Sequence, residues 1–244
     1  MYVCSCSGGK DSIATVILAH EHNEPLDLIV FSEVMFDDNI SGEFPEHIDF
    51  IKNKAFPLFE SWGYKTVIVR SQKTYMDCFN HVATRGKRVG QVLGFPMAGK
   101  CIINSRCKVK AIHDYLRSIP DCKQYVGIAY DEPQRLERLS DDKISLLAKY
   151  KYIELMSRNK CIEYDLLSPV YDYTNRGGCW FCPNARKAEL KHLREHHSDL
   201  WNTLLSLESR SDLIGHKWNT LTDTSIHDFE RMFAFDDLQI TFDM

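Results

Sequence analysis

The residues best suited to chemistry in this 244-residue sequence form a short turn near its start, Ser7-Gly8-Gly9-Lys10-Asp11-Ser12. Adjacent glycines let the backbone approach a ligand closely and take up conformations that a Cβ atom disfavours. Lys10 supplies a positive charge, and the free N–H groups at the start of a following helix attract anions. These residue types in this order predict a site for a phosphate or pyrophosphate group.

The flanking sequence predicts the elements that hold this turn. Tyr2 to Cys6 favours a short strand, and the segment after the turn has apolar residues at helical spacing, at Ile13, Val16 and Ile17. Three residues of the turn are good helix caps: Ser7, Asp11 and Ser12. Residues 25–32 predict a second, buried strand, so the first 32 residues form a βαβ unit. We therefore predict an α/β, Rossmann-like parallel sheet flanked by helices, in which Ser7 lies at the carboxyl edge where ligands bind.

Two common phosphate-binding turns do not fit. A Walker A loop requires glycine where the chain has Cys4 and Ser or Thr where it has Asp11, and the dinucleotide fingerprint Gly-x-Gly-x-x-Gly is absent. The turn instead resembles the Ser-Gly-Gly-x-Asp-Ser loop of the PP-loop ATP pyrophosphatases, which have the adenine nucleotide α-hydrolase-like fold. The same superfamily includes the phosphoadenylylsulfate (PAPS) reductases. The resemblance covers roughly residues 1 to 190 and is strongest at the turn.

The resemblance implies a function for particular residues. ATP with Mg²⁺ would bind at the turn, be cleaved between its α and β phosphates, and adenylate a substrate. The implied nucleotide-binding residues are Ser7, Gly8, Gly9, Lys10, Asp11, Ser12, Phe31, Ser32, Glu33 and Gly127, and the implied catalytic residues are Lys10, Asp11 and Arg135. Within these sets, Phe31, Ser32 and Glu33 are the candidates for contact with adenosine. The Asp-Thr-Gly that PAPS reductases usually carry near this point is missing.

Two polar segments each allow two interpretations. The acids between Asp37 and His47 could coordinate Mg²⁺ or cap the following helix, and capping is favoured because acids prefer a first helical turn. Further along, Arg135 and Arg138 at i, i+3 could grip a phosphate or sulfate from one helix face. Alternatively, Glu132 pairs with Arg135 at the surface. The family's usual arginine in this region is replaced by Ala129.

A second chemical motif is Cys179-Trp-Phe-Cys182, preceded by two glycines and followed by proline. A Cys-x-x-Cys pair of this kind is typical of a metal or redox site. A tetrathiolate site needs four cysteines. The remaining two would come from Cys101 and Cys107, near the predicted ligand-binding edge.

Three interpretations of these cysteines remain open. The favoured one is a [4Fe–4S] cluster on Cys101, Cys107, Cys179 and Cys182, a kind of centre also found in relatives within the superfamily. If only three thiolates bind, Cys107, Cys179 and Cys182 are the expected set. A structural Zn²⁺ on the same four is second, because the gap between Cys101 and Cys107 exceeds the usual zinc spacing. A dithiol redox pair or buried cysteines are third.

Composition limits the function classes. The net charge of −4 argues against a general polyanion binder. Nine cysteines without a secretion signal indicate a reducing cytoplasm, and no apolar run reaches the length of a membrane span. A cytoplasmic protein without a membrane partner is expected.

The chain divides, on this pattern, into a nucleotide-binding α/β domain at 1–174 and a region at 175–244 containing the Cys-x-x-Cys motif and helices. Pro183 fits the start of a helix from Ala185 to His196. From Lys187 onward, apolar residues at helical spacing continue to Leu205 and indicate an amphipathic helix. The histidines on it, His192, His196 and His197, are expected to be solvated rather than to bind metal. The Cys-Gly-x-His ending that performs reduction in PAPS reductases is absent from this tail.

The sequence therefore predicts an enzyme, a transferase or oxidoreductase, that adenylates a substrate for sulfur transfer. Two alternatives remain: a sulfonucleotide reductase, and a non-catalytic nucleotide-binding subunit of a DNA-modification or defence complex. The expected partners are a small-molecule or nucleic-acid substrate and a sulfur donor, such as a cysteine desulfurase, or a reductant. A homodimer is also left open.

Overall fold

The fold is described from a computed structural model, which describes residues 1–95, 97–98, 100–215, 218–219 and 223–242. The strands are β1 (Tyr2–Ser5), β2 (Leu28–Ser32), β3 (Lys65–Val69), β4 (Val92–Gly94), β5 (Met97–Ala98), β6 (Lys100–Cys101), β7 (Lys123–Val126), β8 (Lys143–Ile144) and β9 (Leu213–Gly215). Five of them form one parallel sheet in the order β3-β2-β1-β7-β8. Two small pairs, β4 with β9 and β5 with β6, lie outside it.

The α-helices are α1 (Lys10–Glu21), α2 (Pro45–Phe50), α3 (Phe56–Ser61), α4 (Tyr75–Phe79), α5 (Lys110–Leu116), α6 (Pro133–Leu136), α7 (Leu146–Lys149), α8 (Glu154–Glu163), α9 (Lys187–His196), α10 (Ser198–Glu208) and α11 (Ile226–Phe242). A π-helical turn, Ile51–Ala55, joins α2 to α3, and another, Asn104–Val109, leads into α5. Short 3₁₀ turns occur at Gly86–Arg88 and Pro169–Asp172. No described helix is both long and apolar enough to cross a lipid bilayer.

The middle of the sheet explains where a ligand can bind. In β1, Cys4 pairs with Ile29 on one side and Tyr125 on the other, so both neighbouring strands run parallel to it. β2 is buried along its whole length, as expected for a strand covered on both faces. The turn after β1 therefore opens at the carboxyl edge of the sheet, between the ends of β2 and β7. The predicted α/β parallel sheet flanked by helices is confirmed.

The C-terminal region is helical, as predicted, and shares a hydrophobic core with earlier segments. The ring of Phe181 lies 4.1 Å from that of Tyr75, and the ring of Trp180 lies 4.7 Å from that of Phe36. The backbone N–H of Trp180 donates to the carbonyl of Gly42 at 3.0 Å. The Cys-x-x-Cys segment is thus packed against the loop that follows β2.

One prediction about the C-terminal helices is confirmed to within two residues, and another is wrong. The helix expected over Ala185 to His196 spans Lys187–His196, because Ala185 N–H donates to the Cys182 carbonyl in the turn before it. The helical pattern does not continue unbroken to Leu205, because His197 has φ of −134° and ψ of 60°, which are not helical.

Candidate functional site

The glycine turn is closed by its own residues. Gly8 has φ of +74°, and a Cβ there would lie 2.7 Å from the Ile51 side chain, so only glycine fits. The Ser12 hydroxyl donates to the carbonyl of Gly9 at 2.8 Å and accepts the N–H of Ser7 at 3.1 Å. Helix α1 has Gly9 as its N-cap, with no side-chain cap. The prediction that Ser7, Asp11 or Ser12 caps this helix is therefore wrong; Ser12 instead holds the turn together.

Two buried side chains hold the turn against the rest of the protein. His47 donates from Nε2 to the Ser7 carbonyl at 3.0 Å, and its Nδ1 accepts from the Ser168 hydroxyl at 2.7 Å. Burial lowers the pKa of His47, so the ring stays neutral in this role. The hydroxyl of Tyr171 accepts the N–H of Lys10 at 2.9 Å. The start of α1 is thereby tied to the Pro169–Asp172 turn.

A cleft of about 280 Å³ opens over this turn. Ser7, Gly9, Lys10, Asp11, Ser12 and Gly127 all line it. Its charged lining consists of four cationic side chains and two acids: Lys10, Lys108, Arg135, Arg176, Asp11 and Glu43. An excess of positive charge at the start of a helix is the arrangement expected for binding an anion such as a phosphate group.

Lys10 and Glu43 are the two buried members of this charged lining. Lys10, only 8% exposed, lies 2.7 Å from a Glu154 oxygen and 3.5 Å from an Asp11 oxygen. Burial acts to lower the pKa of Lys10, but its hydrogen bond to Glu154 and the Asp11 charge raise it overall, so the ammonium stays charged. Burial raises the pKa of Asp11, against the opposing effect of Lys10.

Two carboxylate oxygens in the cleft have no hydrogen-bond partner. They are Oδ1 of Asp11 and Oε1 of Glu43, and both are buried. The ammonium of Lys108 lies 3.7 Å from the Glu43 oxygen, which is too long for a hydrogen bond. Buried carboxylate oxygens without a hydrogen-bond partner are of the ligand type that Mg²⁺ prefers.

The predicted adenosine residues lie elsewhere. Phe31 is fully buried in the core, and the Ser32 hydroxyl donates to the carbonyl of Lys108 at 3.1 Å. Glu33 accepts two hydrogen bonds from Arg70, at 2.6 and 2.9 Å. None of these three side chains lines the cleft. Phe31 and Ser32 belong to a strand that is buried on both faces, and Glu33, just after it, is held by Arg70.

Gly127, by contrast, does line the cleft. A Cβ at Gly127 would lie 2.7 Å from the backbone nitrogen of Ser12. The end of β7 therefore packs directly against the first turn of α1, and glycine is required for that approach.

The two predicted arginines do not share a helix face. Helix α6 ends at Leu136, so Arg138 lies beyond it, and that prediction is wrong. Arg135 lines the cleft, and its guanidinium also pairs with Glu132 at 2.6 Å. The phosphate interpretation and the ion-pair interpretation are thus compatible for Arg135.

Three of the four predicted metal-binding cysteines share a small apolar cavity. Cys101, Cys179 and Cys182 line it together with Tyr75. The Tyr75 hydroxyl is buried without a hydrogen-bond partner, and burial raises its pKa well above the ordinary value. A sulfur or other acceptor held between these thiols would satisfy that hydroxyl. The donor set therefore fits a thiolate-bound metal centre.

The spacing of the sulfurs bears on which centre it is. Among the residues that the structure describes, no three of these sulfurs lie within 4.8 Å of one another. A single zinc ion with Zn–S bonds of about 2.3 Å needs all its sulfurs about 3.8 Å apart. The cavity itself holds about 30 Å³, so a four-iron cluster requires it to widen, most simply at the exposed Cys101.

Cys107 occupies a different position from the other three. It is fully buried and lies outside the cavity lining, with its sulfur 4.0 Å from that of Cys78 and 3.7 Å from the Thr74 carbonyl. The hydrogen bond between the two thiols lowers the pKa of Cys78 and raises that of Cys107. The sequence predicts no role for Cys78, and the structure buries it in the core beside Cys107. The only sequence feature that helps to place Cys78 is the Thr74-x-x-Asp77 capping box, which fixes the start of the helix α4 that contains it.

Arg176 was also missed, although it contacts both sites. It lines the cleft, and its guanidinium donates to the sulfur of Cys182 at 3.5 Å. The same guanidinium also pairs with the carboxylate of Glu189, with its Nη2 3.4 Å from Oε2. On the other side of the cavity, the backbone N–H of Asn104 donates to the sulfur of Cys101 at 3.4 Å. Hydrogen bonds of this kind stabilise thiolates and tune a bound metal. The only sequence signal for Arg176 was its place just before Gly-Gly-Cys.

Comparison with known proteins adds one relative. The chain is 26% identical, over 228 residues, to an uncharacterized protein of Methanocaldococcus jannaschii, MJ0973. The match covers 84% of this chain and 47% of the archaeal protein, so the chain spans about half the length of that relative. No family model matches the chain. Because the relative is itself uncharacterized, any function has to be argued from the site.

The sequence predicted that the histidines of the C-terminal helices are solvated, but two of them contact a carboxylate. His192 Nε2 and His197 Nε2 each lie 3.1 Å from an oxygen of Glu46, at the start of α2. His196 remains exposed. The helix break at His197 makes this contact possible, and no periodicity in the sequence announced that break.

Proposed function

We propose that the chain is a PP-loop-type enzyme that binds ATP with Mg²⁺ in the cleft and adenylates a substrate for sulfur transfer. The observation that carries this proposal is the cleft itself, in which the Gly8 turn, the start of α1 and four cationic side chains converge. An uncharged or small apolar ligand would not need that charge. A triphosphate does, because it brings several negative charges into a partly buried site.

In this mechanism the protein's residues mainly bind and neutralise phosphate groups. Lys10 exchanges its contact with the more exposed Glu154 for a phosphate oxygen, and Lys108, Arg135 and Arg176 contact the phosphates from the other walls. A substrate oxygen attacks the α-phosphorus, the bond to the bridging oxygen breaks, and pyrophosphate leaves. The negative charge that builds up on the phosphates is stabilised by these fixed cations, which is the main catalytic contribution of such a site.

Asp11 and Glu43 would hold the Mg²⁺, through the oxygens that lack hydrogen-bond partners. The metal offsets phosphate charge that the four cations leave uncompensated. Burial raises the pKa of Asp11, so a bound cation also compensates its desolvation.

The cysteine cavity would hold the [4Fe–4S] cluster, with Cys101, Cys179 and Cys182 as ligands and Cys107 as the fourth. When bound, the cluster supplies electrons or carries sulfur for the adenylated substrate. The Arg176 guanidinium and the Asn104 N–H stabilise two of its thiolates. The substrate is a small molecule or a nucleic acid, and a sulfur donor or reductant serves the reaction. A reducing cytoplasm suits these free thiols.

The test is nucleotide binding and pyrophosphate release by the full chain, purified anaerobically. ATP, adenylylsulfate and its 3′-phosphate are compared by isothermal titration, on the wild type, on Lys10→Gln and on Lys65→Gln. Lys65 is an exposed lysine on β3, at the far edge of the sheet. We expect Lys10→Gln to bind ATP about 10- to 100-fold more weakly, because a nearly buried charge contact is lost, and Lys65→Gln to bind normally.

Three outcomes would contradict adenylation by this chain. Equal ATP affinity in Lys10→Gln and the wild type would show that ATP does not bind in the cleft. Tighter binding of a sulfonucleotide than of ATP would make the protein a reductase. ATP binding with pyrophosphate release only after a partner protein is added would make it a nucleotide-binding subunit.

A further inference from the structure

Three side chains outside the cleft and the cysteine cavity converge in a way that the proposed function does not use. Glu46, His192 and His197 each present one potential ligand atom, and these atoms lie within 4.8 Å of one another. Nε2 of His192 is 3.1 Å from Oε1 of Glu46, and Nε2 of His197 is 3.1 Å from Oε2. Each imidazole therefore faces a different oxygen of the same carboxylate.

The chain has to break a helix to bring the two histidines together. Residues five apart on a continuous α-helix point about 140° away from each other. The non-helical backbone of His197, between α9 and α10, removes that separation. Glu46 comes from the first turn of α2, far away in sequence. Two separate elements and a helix break thus converge on one point.

The two N–O distances are compatible with a shared metal ion. Ligand atoms bound to one zinc ion at about 2.0 to 2.2 Å lie roughly 3.0 to 3.5 Å from each other, and both measured distances of 3.1 Å fall in that range. Only the His192 contact has the geometry of a hydrogen bond. Oε2 of Glu46 is buried and has no hydrogen-bond partner, although His197 lies 3.1 Å away. A cation bound between Oε2 of Glu46 and Nε2 of His197 would give each of these atoms a partner.

Neighbouring groups orient the carboxylate and one imidazole. The hydroxyl of Tyr173 donates to Oε1 of Glu46 at 2.6 Å. The Tyr173 ring also stacks on His192, with centroids 3.6 Å apart and planes within 7°. Bound metal ligands are commonly held by such outer hydrogen bonds and packing, which fix their orientation before the ion arrives.

We propose that Glu46, His192 and His197 form a binding site for a divalent transition metal, with Zn²⁺ as the best match. Two imidazole nitrogens and one carboxylate oxygen are a common three-ligand set for zinc, and they leave a further position for water. A groove of about 480 Å³ borders His197 and gives solvent a route to that position. The site shares no ligand with the cysteine cavity or the cleft, so it stands independently of the proposed function.

The ion would also fix the C-terminal helices in place. It would connect the junction of α9 and α10 to α2 through Glu46. The next residue of α2 is His47, which donates to the carbonyl of Ser7 in the glycine turn. Metal binding here is therefore expected to raise the thermal stability of the whole chain, since any ion that binds only the folded state stabilises it.

The experiment titrates Zn²⁺ and Co²⁺ into the full chain after chelation, anaerobically. The variants are Glu46→Gln, His197→Gln and, as a matched control, His196→Gln, which alters the exposed histidine beside the site. We expect one metal equivalent to bind the wild type and the control alike. Its affinity should fall about 100-fold or more in the other two, since each loses a direct ligand. Cobalt at this site should give ligand-field bands without a thiolate charge-transfer band.

Two results would contradict the proposed metal site. One is unchanged metal affinity in both Glu46→Gln and His197→Gln. The other is that the equivalent lost from these variants carries a thiolate charge-transfer band, which would assign it to the cysteines. Circular dichroism of the metal-free variants checks folding. Glu46→Gln keeps the shape of the side chain and an acceptor for Tyr173, so it tests the site even if His197→Gln fails to fold.

Discussion

The glycine turn and the cysteine cavity lie side by side but are built in opposite ways. The turn consists of six consecutive residues, and its own serine closes it. The cavity takes Tyr75, Cys101, Cys179 and Cys182 from three distant stretches of chain. A contiguous motif carries most of its geometry in its local sequence, whereas a dispersed site exists only after the surrounding core has formed.

The same difference appears in how completely each site is arranged. In the turn, Ser12, His47 and Tyr171 already hold the backbone in place without a ligand. In the cavity, the Tyr75 hydroxyl has no partner and the space is only about 30 Å³. The backbone of the turn is fixed by contacts within the protein, whereas the cavity keeps a buried hydroxyl without a hydrogen-bond partner.

The largest expected effect concerns the cavity. We predict that Cys179→Ser abolishes iron binding, because a hydroxyl replaces a thiolate ligand at the centre of the site. Cys122→Ser serves as control, since Cys122 is partly exposed and lies outside the cavity. Iron, sulfide and zinc analysis of anaerobically purified protein measures the result. A brown, iron-loaded Cys179→Ser protein would show that the cluster is held elsewhere.

The same analysis separates the fourth-ligand candidates. Cys107→Ser should lower the iron content if Cys107 is the fourth ligand, whereas Cys78→Ser should lower it if Cys78 is the fourth ligand. The two sulfurs are 4.0 Å apart and neither residue lines the cavity, so either thiol has to move to become a ligand. About one zinc per chain and no iron would make the centre structural.

The second effect tests whether the turn is as rigid as its contacts indicate. We predict that Gly8→Ala weakens ATP binding about 100-fold and lowers the free energy of unfolding by about 2 kcal/mol, because φ of +74° and a 2.7 Å approach to Ile51 both oppose a Cβ. Gly63→Ala is the matched control: its φ is +92°, but no atom lies within 4 Å of the added Cβ. It should lose stability without losing ATP affinity. Equal losses of affinity in both would refute a specific role for Gly8.

The contrast between the contiguous turn and the dispersed cavity also explains which parts of the structure the sequence predicted. The strand, turn and helix at the start were predictable, because periodicity, glycine and short-range order agree there. The parallel sheet followed from the βαβ unit. Most residues of the turn line one cleft, as their order in the sequence indicated. The predicted caps are wrong, because the Ser12 hydroxyl bonds within the turn.

The parts that were not predictable depend on tertiary packing. No local pattern places Arg176 between the cleft and Cys182, or Cys78 beside Cys107. Phe31 and Glu33 resemble site residues by position, but packing and Arg70 hold them away from the cleft. The break at His197 also follows from packing, since the residues around it have good helical periodicity.

The third effect is on pH dependence and concerns His47, which braces the turn. Burial puts its pKa in the folded state below the ordinary value of about 6.5. Between those two values the unfolded chain binds more protons, so stability rises with pH there and is lost as pH falls below about 6.5. The slope from this group is at most about 1.4 kcal/mol per pH unit.

His47→Gln should flatten that part of the stability curve, while His81→Gln, at an exposed histidine, should leave it unchanged. Chemical denaturation at a series of pH values between about 5 and 8 measures the difference. If the slope survives in His47→Gln, the buried neutral histidine does not control the turn.

The smallest effect joins the two sites through Arg176, which contacts both. We predict that Arg176→Gln weakens ATP binding about fivefold, as expected for one partly exposed charge contact, and also shifts the reduction potential of the cluster, because a hydrogen bond to Cys182 is lost. Arg135→Gln is the comparison, since Arg135 lines only the cleft. It should weaken ATP binding to a similar extent without moving the potential. A shared shift in both variants would mean that overall charge, rather than the contact with Cys182, links the two sites.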